Sequence, residues 1–193
     1  MADLILASAS PRRQCLLRQL GLSFTVVPAD LAEAPAAGET PAAYVVRVAR
    51  EKAAAVARRF PQALVLAADT IVVLDGEILG KPQSAADARR MLARLSGRQH
   101  TVLTGLALLR SCPELMLCDT VSTRVRFREL HCEEIAHYVA SGEPLDKAGA
   151  YAIQGDAAAF VAAIEGCYTN VIGLPRRRTA ALLRTAGLEV PTS

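Results

Sequence analysis

The chain has 193 residues, 52% hydrophobic and 21% charged, so it carries ample material for a packed core and no bias toward disorder. A formal net charge of +3 and an aromatic content of 4% fall short of a nucleic-acid coat, while the mild basic excess favours small anions slightly. The five cysteines form no Cys-x-x-Cys pair, and no apolar run approaches the ~20 residues of a membrane span. A cytoplasmic protein with reduced thiols, and with no membrane or nucleic-acid partner, is therefore expected.

Leu4-Ile5-Leu6-Ala7 predicts a short buried strand, and Ser10-Pro11 opens a helix to about Leu20 that Gly21 ends. Ser23 to Pro28 reads as a second strand, and residues 30 to 40 as a polar loop carrying Glu33. Thr40-Pro41 starts a long helix to about Arg59, with Thr at the cap and Pro in the first turn. Residues 63 to 74 form a β run interrupted by Asp69-Thr70, and Asp75-Gly76 is a hairpin turn leading into Glu77 to Leu79. A helix follows from Ser84 to Leu95, then strands from His100 to Leu109 and Leu115 to Phe127, then a helix from Glu133 to Ala140. Short strands near 151–154, 158–164 and 170–173 precede a final helix from Arg177 to Ala186. With no repeat and no linker, this order implies one α/β domain over residues 1–193 built on a mixed sheet.

Several polar residues stand where the pattern leaves them unexplained. Ser8-Ala9-Ser10-Pro11-Arg12-Arg13 puts backbone N–H groups and two arginines at a helix N-terminus. Cations there oppose the macrodipole unless an anion such as phosphate offsets them; the competing reading is a Ser-capped surface helix with solvated arginines. Asp69 breaks an otherwise apolar run, where an ionised carboxylate costs several kcal/mol, roughly, unless a cation or hydrogen bonds compensate. A divalent metal or an activated water at a sheet edge is one explanation, and a bent strand whose Asp caps a loop is the other.

Lys52 shares a helical stripe with Val45, Val48 and Val56, from which a lysine either snorkels to water, the commoner outcome, or points into a polar cavity. Lys81 in Gly80-Lys81-Pro82 is presented by a rigid turn, Lys147 by a small-residue loop, and Glu33 is an acid in a polar loop. Gln154, just before Gly155, has the donor and the acceptor needed to read a nucleobase edge, or equally to satisfy a turn. Arg124, Arg126 and Arg128 read as the solvated face of a strand, and Arg176-Arg177-Arg178 as surface charge. These two basic stretches carry the alternative of a regulatory or nucleic-acid-binding protein.

The set Leu6-Ala7-Ser8-Ala9-Ser10-Pro11-Arg12-Arg13, Arg50-Glu51-Lys52-Ala53, Ala68-Asp69-Thr70-Ile71-Val72 and Gly80-Lys81-Pro82 resembles the Maf family of nucleoside triphosphate pyrophosphatases. So do Ser96-Gly97 with Thr104-Gly105, Lys147 through Gly155, and Asn170-Val171-Ile172-Gly173-Leu174-Pro175. The resemblance covers nearly the whole chain. It implies a fold like that of inosine triphosphatases, an elongated mixed sheet flanked by helices with two lobes around a cleft. It also implies a Mg²⁺- or Mn²⁺-dependent cut between the α- and β-phosphates, giving a nucleoside monophosphate and pyrophosphate, and a homodimer.

On that resemblance Asp69 matches the general base, Glu33 a second acid at the metal beside Asp69, and Lys52 and Lys81 phosphate-site lysines. Ser8, Ser10 and Arg13 fall in the phosphate loop, and Lys147 in a further matched loop. Arg12, Thr70 and Gln154 resemble the trio of the dTTP/UTP branch rather than that of the 7-methyl-GTP branch. The chain departs from the family at Asp156-Ala157-Ala158-Ala159, where glycine is usual, at Cys167, where Ser is usual, and at Ala32, where a second acid is common.

Overall fold

Small side chains decide how closely the longest helix approaches the sheet. The computed structural model describes residues 3–29, 31 and 34–191. Strand β1 (Leu4–Leu6) leads to helix α1 (Pro11–Arg18), β2 (Thr25–Val26), α2 (Pro41–Ala57), β3 (Leu64–Leu74) and β4 (Glu77–Leu79). Then come α3 (Ala85–Leu95), β5 (Gln99–Arg110), β6 (Leu115–Phe127), α4 (Cys132–Ala140), β7 (Val161–Glu165), α5 (Tyr168–Ile172) and α6 (Arg176–Thr185). The strands form one mixed sheet in the order β2-β1-β3-β5-β6-β7, with β4 paired to β3. The expected mixed α/β architecture is therefore present.

The chain divides into two compact units, one comprising the described parts of Met1–Asp69, Thr104–Val121 and Gly173–Ser193, the other Thr70–Leu103 and Ser122–Ile172. In the first unit β1 runs parallel to both β2 and β3, with Leu6 opposite Val26 and Leu66. Ile5 and Ala7, Val65 and Ala67, and Ala107 and Leu109 alternate along their strands and so share one face of the sheet. Helix α2 lays Ala49, Ala53, Val56 and Ala57 against that face. So many alanines let the backbones come close. At Gly105 a Cβ would lie 2.3 Å from the Val45 carbonyl oxygen, so only glycine fits where α2 crosses β5.

In the second unit the Asp75-Gly76 hairpin is as expected: both residues have positive φ (53° and 82°), and Leu74 pairs with Glu77. Four of the chain's four Phe and four Tyr residues gather here around one buried histidine. His100, Phe127 and Tyr151 meet edge to face, and Phe160 joins Phe127 to Tyr138.

Two expected strands are absent, for identifiable reasons. Around 151–154 the chain follows positive φ at Gly149 and Ala150, and the Ala152 N–H donates to the Tyr138 hydroxyl at 3.1 Å, not to a strand. Gly155 N–H then closes a turn onto Ala152 O. Around 170–173 the chain is the end of α5. Asn170, fully buried, donates from Nδ2 to Val102 O (3.1 Å) and to Thr123 Oγ1 (3.0 Å). The strand expected at 158–164 forms only from Val161, after a 3-10 turn over Asp156–Phe160.

His100 is 2% exposed, its Nε2 lies 2.8 Å from the Tyr151 hydroxyl, and burial pulls its pKa from 6.5 down to about 4. The unfolded chain therefore binds a proton at this site between about pH 6.5 and 4 that the folded chain refuses. Stability is full above pH 6.5 and falls as pH drops toward 4, with a slope of up to about 1.4 kcal/mol per pH unit. Denaturant unfolding at pH 7.5, 6 and 5 is expected to show that loss, and His100→Gln is expected to flatten it. Glu39 and Glu134, each held near 2 by an arginine, release their contribution only below about pH 4.5 and do not mask the effect.

Candidate active site

Strand alternation brings the first pair of site residues together. Val65, Ala67 and Asp69 point to the same face of β3, the face that α2 covers, and Lys52 lies on the α2 stripe that does the covering. The Lys52 ammonium accordingly meets Asp69 Oδ1 at 2.8 Å, with side-chain exposures of 10% and 8%. Snorkelling, the commoner fate of such a lysine, does not occur, because the partner carboxylate sits in the interface itself. β3 lies between β1 and β5 in the sheet, and Asp69 falls beyond Leu66, the last residue of β3 paired with β1, and before Val72, the first paired with β4. The charge that compensates Asp69 is a lysine from the same unit.

The Ser8–Arg13 segment begins where β1 ends. Ala7 N–H donates to Leu66 O at 2.8 Å, so Ser8 leaves the sheet only a few residues from Asp69 in register. Ser8 Oγ accepts from Ser10 N–H and from the Arg13 guanidinium, both at 3.3 Å. Ser10 caps α1 by accepting from Arg13 N–H, and Pro11 fills its first turn. Arg13 also donates from Nε to Gly173 O at 2.9 Å. Arg12 is half-buried and has no ion pair or hydrogen bond among the described residues. The first turn contains no acid. Pro11 has no N–H, and those of Arg13 and Gln14 bond Ser10, so Arg12 offers both an unpaired guanidinium and the one first-turn N–H without a bond among the described residues, an anion-binding arrangement.

In the second unit, Gly149 N–H donates to Gly80 O at 3.0 Å and so ties the Lys147 loop to the residue before Lys81. Gly149 has φ +68°, and a Cβ there would lie 2.8 Å from Val72. Lys81 is exposed and unpaired among the described residues, whereas Lys147 pairs with Asp146. Gln154 is exposed, at the head of the turn that Tyr138 and Tyr151 support; Thr70 follows Asp69 in β3. Glu33 lies outside the described residues. The next described residue, Ala34, is anchored through its carbonyl to Arg47 Nη2 at 3.0 Å, and Arg47 also grips Glu39.

Residue spacing gives the tyrosines and His100 no functional signal, since a lone His or Tyr in an apolar strand or helix reads as core. Their role emerges only from the hydroxyl bonds that shape residues 151–155. In the basic stretches, Arg124 pairs with Glu165, Arg128 with Glu134 and Arg178 with Asp119.

Residues 3–186 match the family described as Maf-like protein. The chain belongs to the Maf family. A dTTP/UTP pyrophosphatase of Myxococcus xanthus is 57% identical to this Maf chain over 188 residues, covering 97% of it and 94% of the relative. A dTTP/UTP pyrophosphatase of Symbiobacterium thermophilum is 54% identical over 192 residues, covering 100% and 98%. The solved structure of a HAM1 protein from Coxiella burnetii shares the fold, with a TM-score of 0.53 at 19% identity over 96% of this chain and 98% of the other.

The buried pair in this Maf chain makes a prediction about stability apart from activity. Lys52→Met leaves Asp69 buried and unpaired and is expected to destabilise the fold by about 3–5 kcal/mol in denaturant unfolding. Lys52→Met combined with Asp69→Leu is expected to recover most of that stability and no activity. Recovery of activity in the double variant contradicts the reading of the pair as functional.

Proposed function

We propose that this protein is a nucleoside triphosphate pyrophosphatase that hydrolyses dTTP and UTP to the monophosphate and pyrophosphate, housekeeping the cytoplasmic nucleotide pool. The observation that carries the reading is the buried Lys52–Asp69 pair beside the Ser8–Arg13 turn, at the carboxyl end of the parallel strand β1. In open α/β sheets ligands bind at that end of the strands. The dTTP/UTP names of relatives matched over nearly the full chain support the substrate class.

The roles follow from the chemistry of each group. The Arg12 guanidinium and backbone N–H bind phosphate oxygens, with Ser8, Ser10 and Arg13 holding that turn in shape. Lys52 keeps Asp69 oriented through Oδ1, while no described residue bonds Oδ2. Asp69 orients a water through that second oxygen and takes its proton as the water oxygen bonds to the α-phosphorus. The bond from the α-phosphorus to the bridging oxygen breaks, and pyrophosphate leaves. Lys81 and Lys147 are assigned to charge on the phosphates, and Gln154, with Thr70 and Arg12, to choice of base.

A divalent cation, Mg²⁺ or Mn²⁺, fits the donor chemistry in a limited way. Among the described residues no cluster of three or more His, Cys, Asp or Glu side chains forms a cage. Mg²⁺ is commonly held by one or two carboxylates together with substrate phosphates, and Asp69 with Glu33 supplies that number. When bound, it neutralises charge on the triphosphate. The family resemblance also supports a homodimer.

Incubation with dTTP, UTP, CTP and 7-methyl-GTP plus Mg²⁺, reading pyrophosphate release, is expected to show cleavage of dTTP and UTP. Asp69→Asn is expected to lower kcat by roughly 10²–10⁴-fold. Undiminished turnover in Asp69→Asn removes the proposed base, and a preference for 7-methyl-GTP overturns the assignment to dTTP and UTP.

A further inference from the structure

The turn that carries Gln154 holds a carboxylate that nothing so far explains. Gly142 has φ +78° and turns the chain after α4 into a short 3-10 turn that begins at Glu143. The Glu143 side chain reaches the glycine next to Gln154. A Cβ on Gly155 would lie 1.7 Å from Glu143 Oε1 and 2.5 Å from Oε2. The carboxylate thus occupies the space that any other residue at 155 would fill. Gly155 has φ −103°, which every residue type adopts, so its missing side chain, not its backbone, makes the room.

Oε2 is buried and has no hydrogen-bond partner among the described residues. Neither carboxylate oxygen of Glu143 enters an ion pair among them. Lys147 is committed to Asp146 and Arg128 to Glu134. Buried polar groups are almost always bonded, to protein, water or a ligand, so this oxygen is open to one of the latter two. Oε2 is already withdrawn from the surface, so a ligand N–H that bonds this carboxylate gains more than a fully exposed bond would.

We propose that Glu143 is a specificity-determining residue for the base: its carboxylate accepts the ring N3–H of uracil or thymine beside Gln154. This rests on the reading of Gln154 as a base-contacting residue. Uracil and thymine present N3–H, which an acceptor-only carboxylate binds. Cytosine presents a lone pair at N3, which faces the same carboxylate with repulsion and leaves it unpaired. A site built on a buried polar group rejects the mismatched ligand more strongly than an apolar site does. Gln154 alone, having both donor and acceptor, turns over to suit either base. The carboxylate supplies the discrimination that the amide lacks.

The test uses two variants and four substrates. Glu143→Gln keeps shape and removes the obligate acceptor, and Gly155→Ala pushes the flexible carboxylate aside while leaving it charged. Steady-state kinetics with UTP, dTTP, CTP and dCTP are measured for the parent and both variants, alongside thermal unfolding. Both variants are expected to lose about 10- to 100-fold in the UTP/CTP and dTTP/dCTP ratios of kcat/KM, mainly through KM for UTP and dTTP. Equal losses on all four substrates, with or without a lower melting temperature, overturn the inference and make Glu143 a structural support of the turn. A rise in the ratios also overturns it, by placing the carboxylate opposite the cytosine amino group. If the parent itself cleaves none of the four, the proposed function fails, and the inference falls with it; the parent's activity separates the two failures.

Discussion

The close approach of α2 to the sheet is the constraint on which the first unit depends. Alanines at 49, 53, 67 and 107 and the bare α-carbon of Gly105 bring helix and strands near enough that a lysine on the helix cannot avoid a carboxylate on the strand. In a looser interface of leucines, Lys52 would escape to water and Asp69 would need another partner. Here the two meet at 2.8 Å with almost no solvent. Such a pair contributes little net stability relative to apolar residues of similar size, because desolvation offsets its attraction. Its persistence in a core otherwise made of small apolar groups is more readily understood through chemistry than through stability.

The second unit solves a different problem. Residues 147–155 have little regular structure of their own, two positive φ values in succession at Gly149 and Ala150, and a run of backbone groups to satisfy. Tyrosine hydroxyls meet part of that need. Tyr138 accepts from Ala152 N–H, and Tyr151 is held by His100 within a nest of edge-to-face rings. Desolvation keeps the Tyr151 hydroxyl protonated far above its usual range and the His100 ring neutral at physiological pH, so the contact stays uncharged. A chain poor in aromatics concentrates half of them where a loop must be both irregular and rigid.

Much of this was legible from residue patterns. The Ser10 and Thr40 caps, the Asp75-Gly76 turn and the long strands around Asp69 and Gly105 all follow from local chemistry that the fold does not override. The segments 151–154 and 170–173 misled because short apolar runs do not announce whether their N–H groups find a strand or a side chain. Lys52 was legible as an anomaly but not as an outcome: its stripe was visible, whereas the carboxylate facing it required the register of β3 against α2. Glu143 was not legible at all. Its significance depends on a contact with Gly155, twelve residues away, that no spacing rule encodes.

The central claim is that a water held at Asp69 attacks the α-phosphorus. Hydrolysis of UTP by the parent protein in ¹⁸O-enriched water, with the products separated and weighed by mass spectrometry, reads the site of attack directly. The account predicts one ¹⁸O in the phosphate of UMP and none in pyrophosphate. Label in pyrophosphate with unlabelled UMP, or release of labelled inorganic phosphate with UDP, would contradict it.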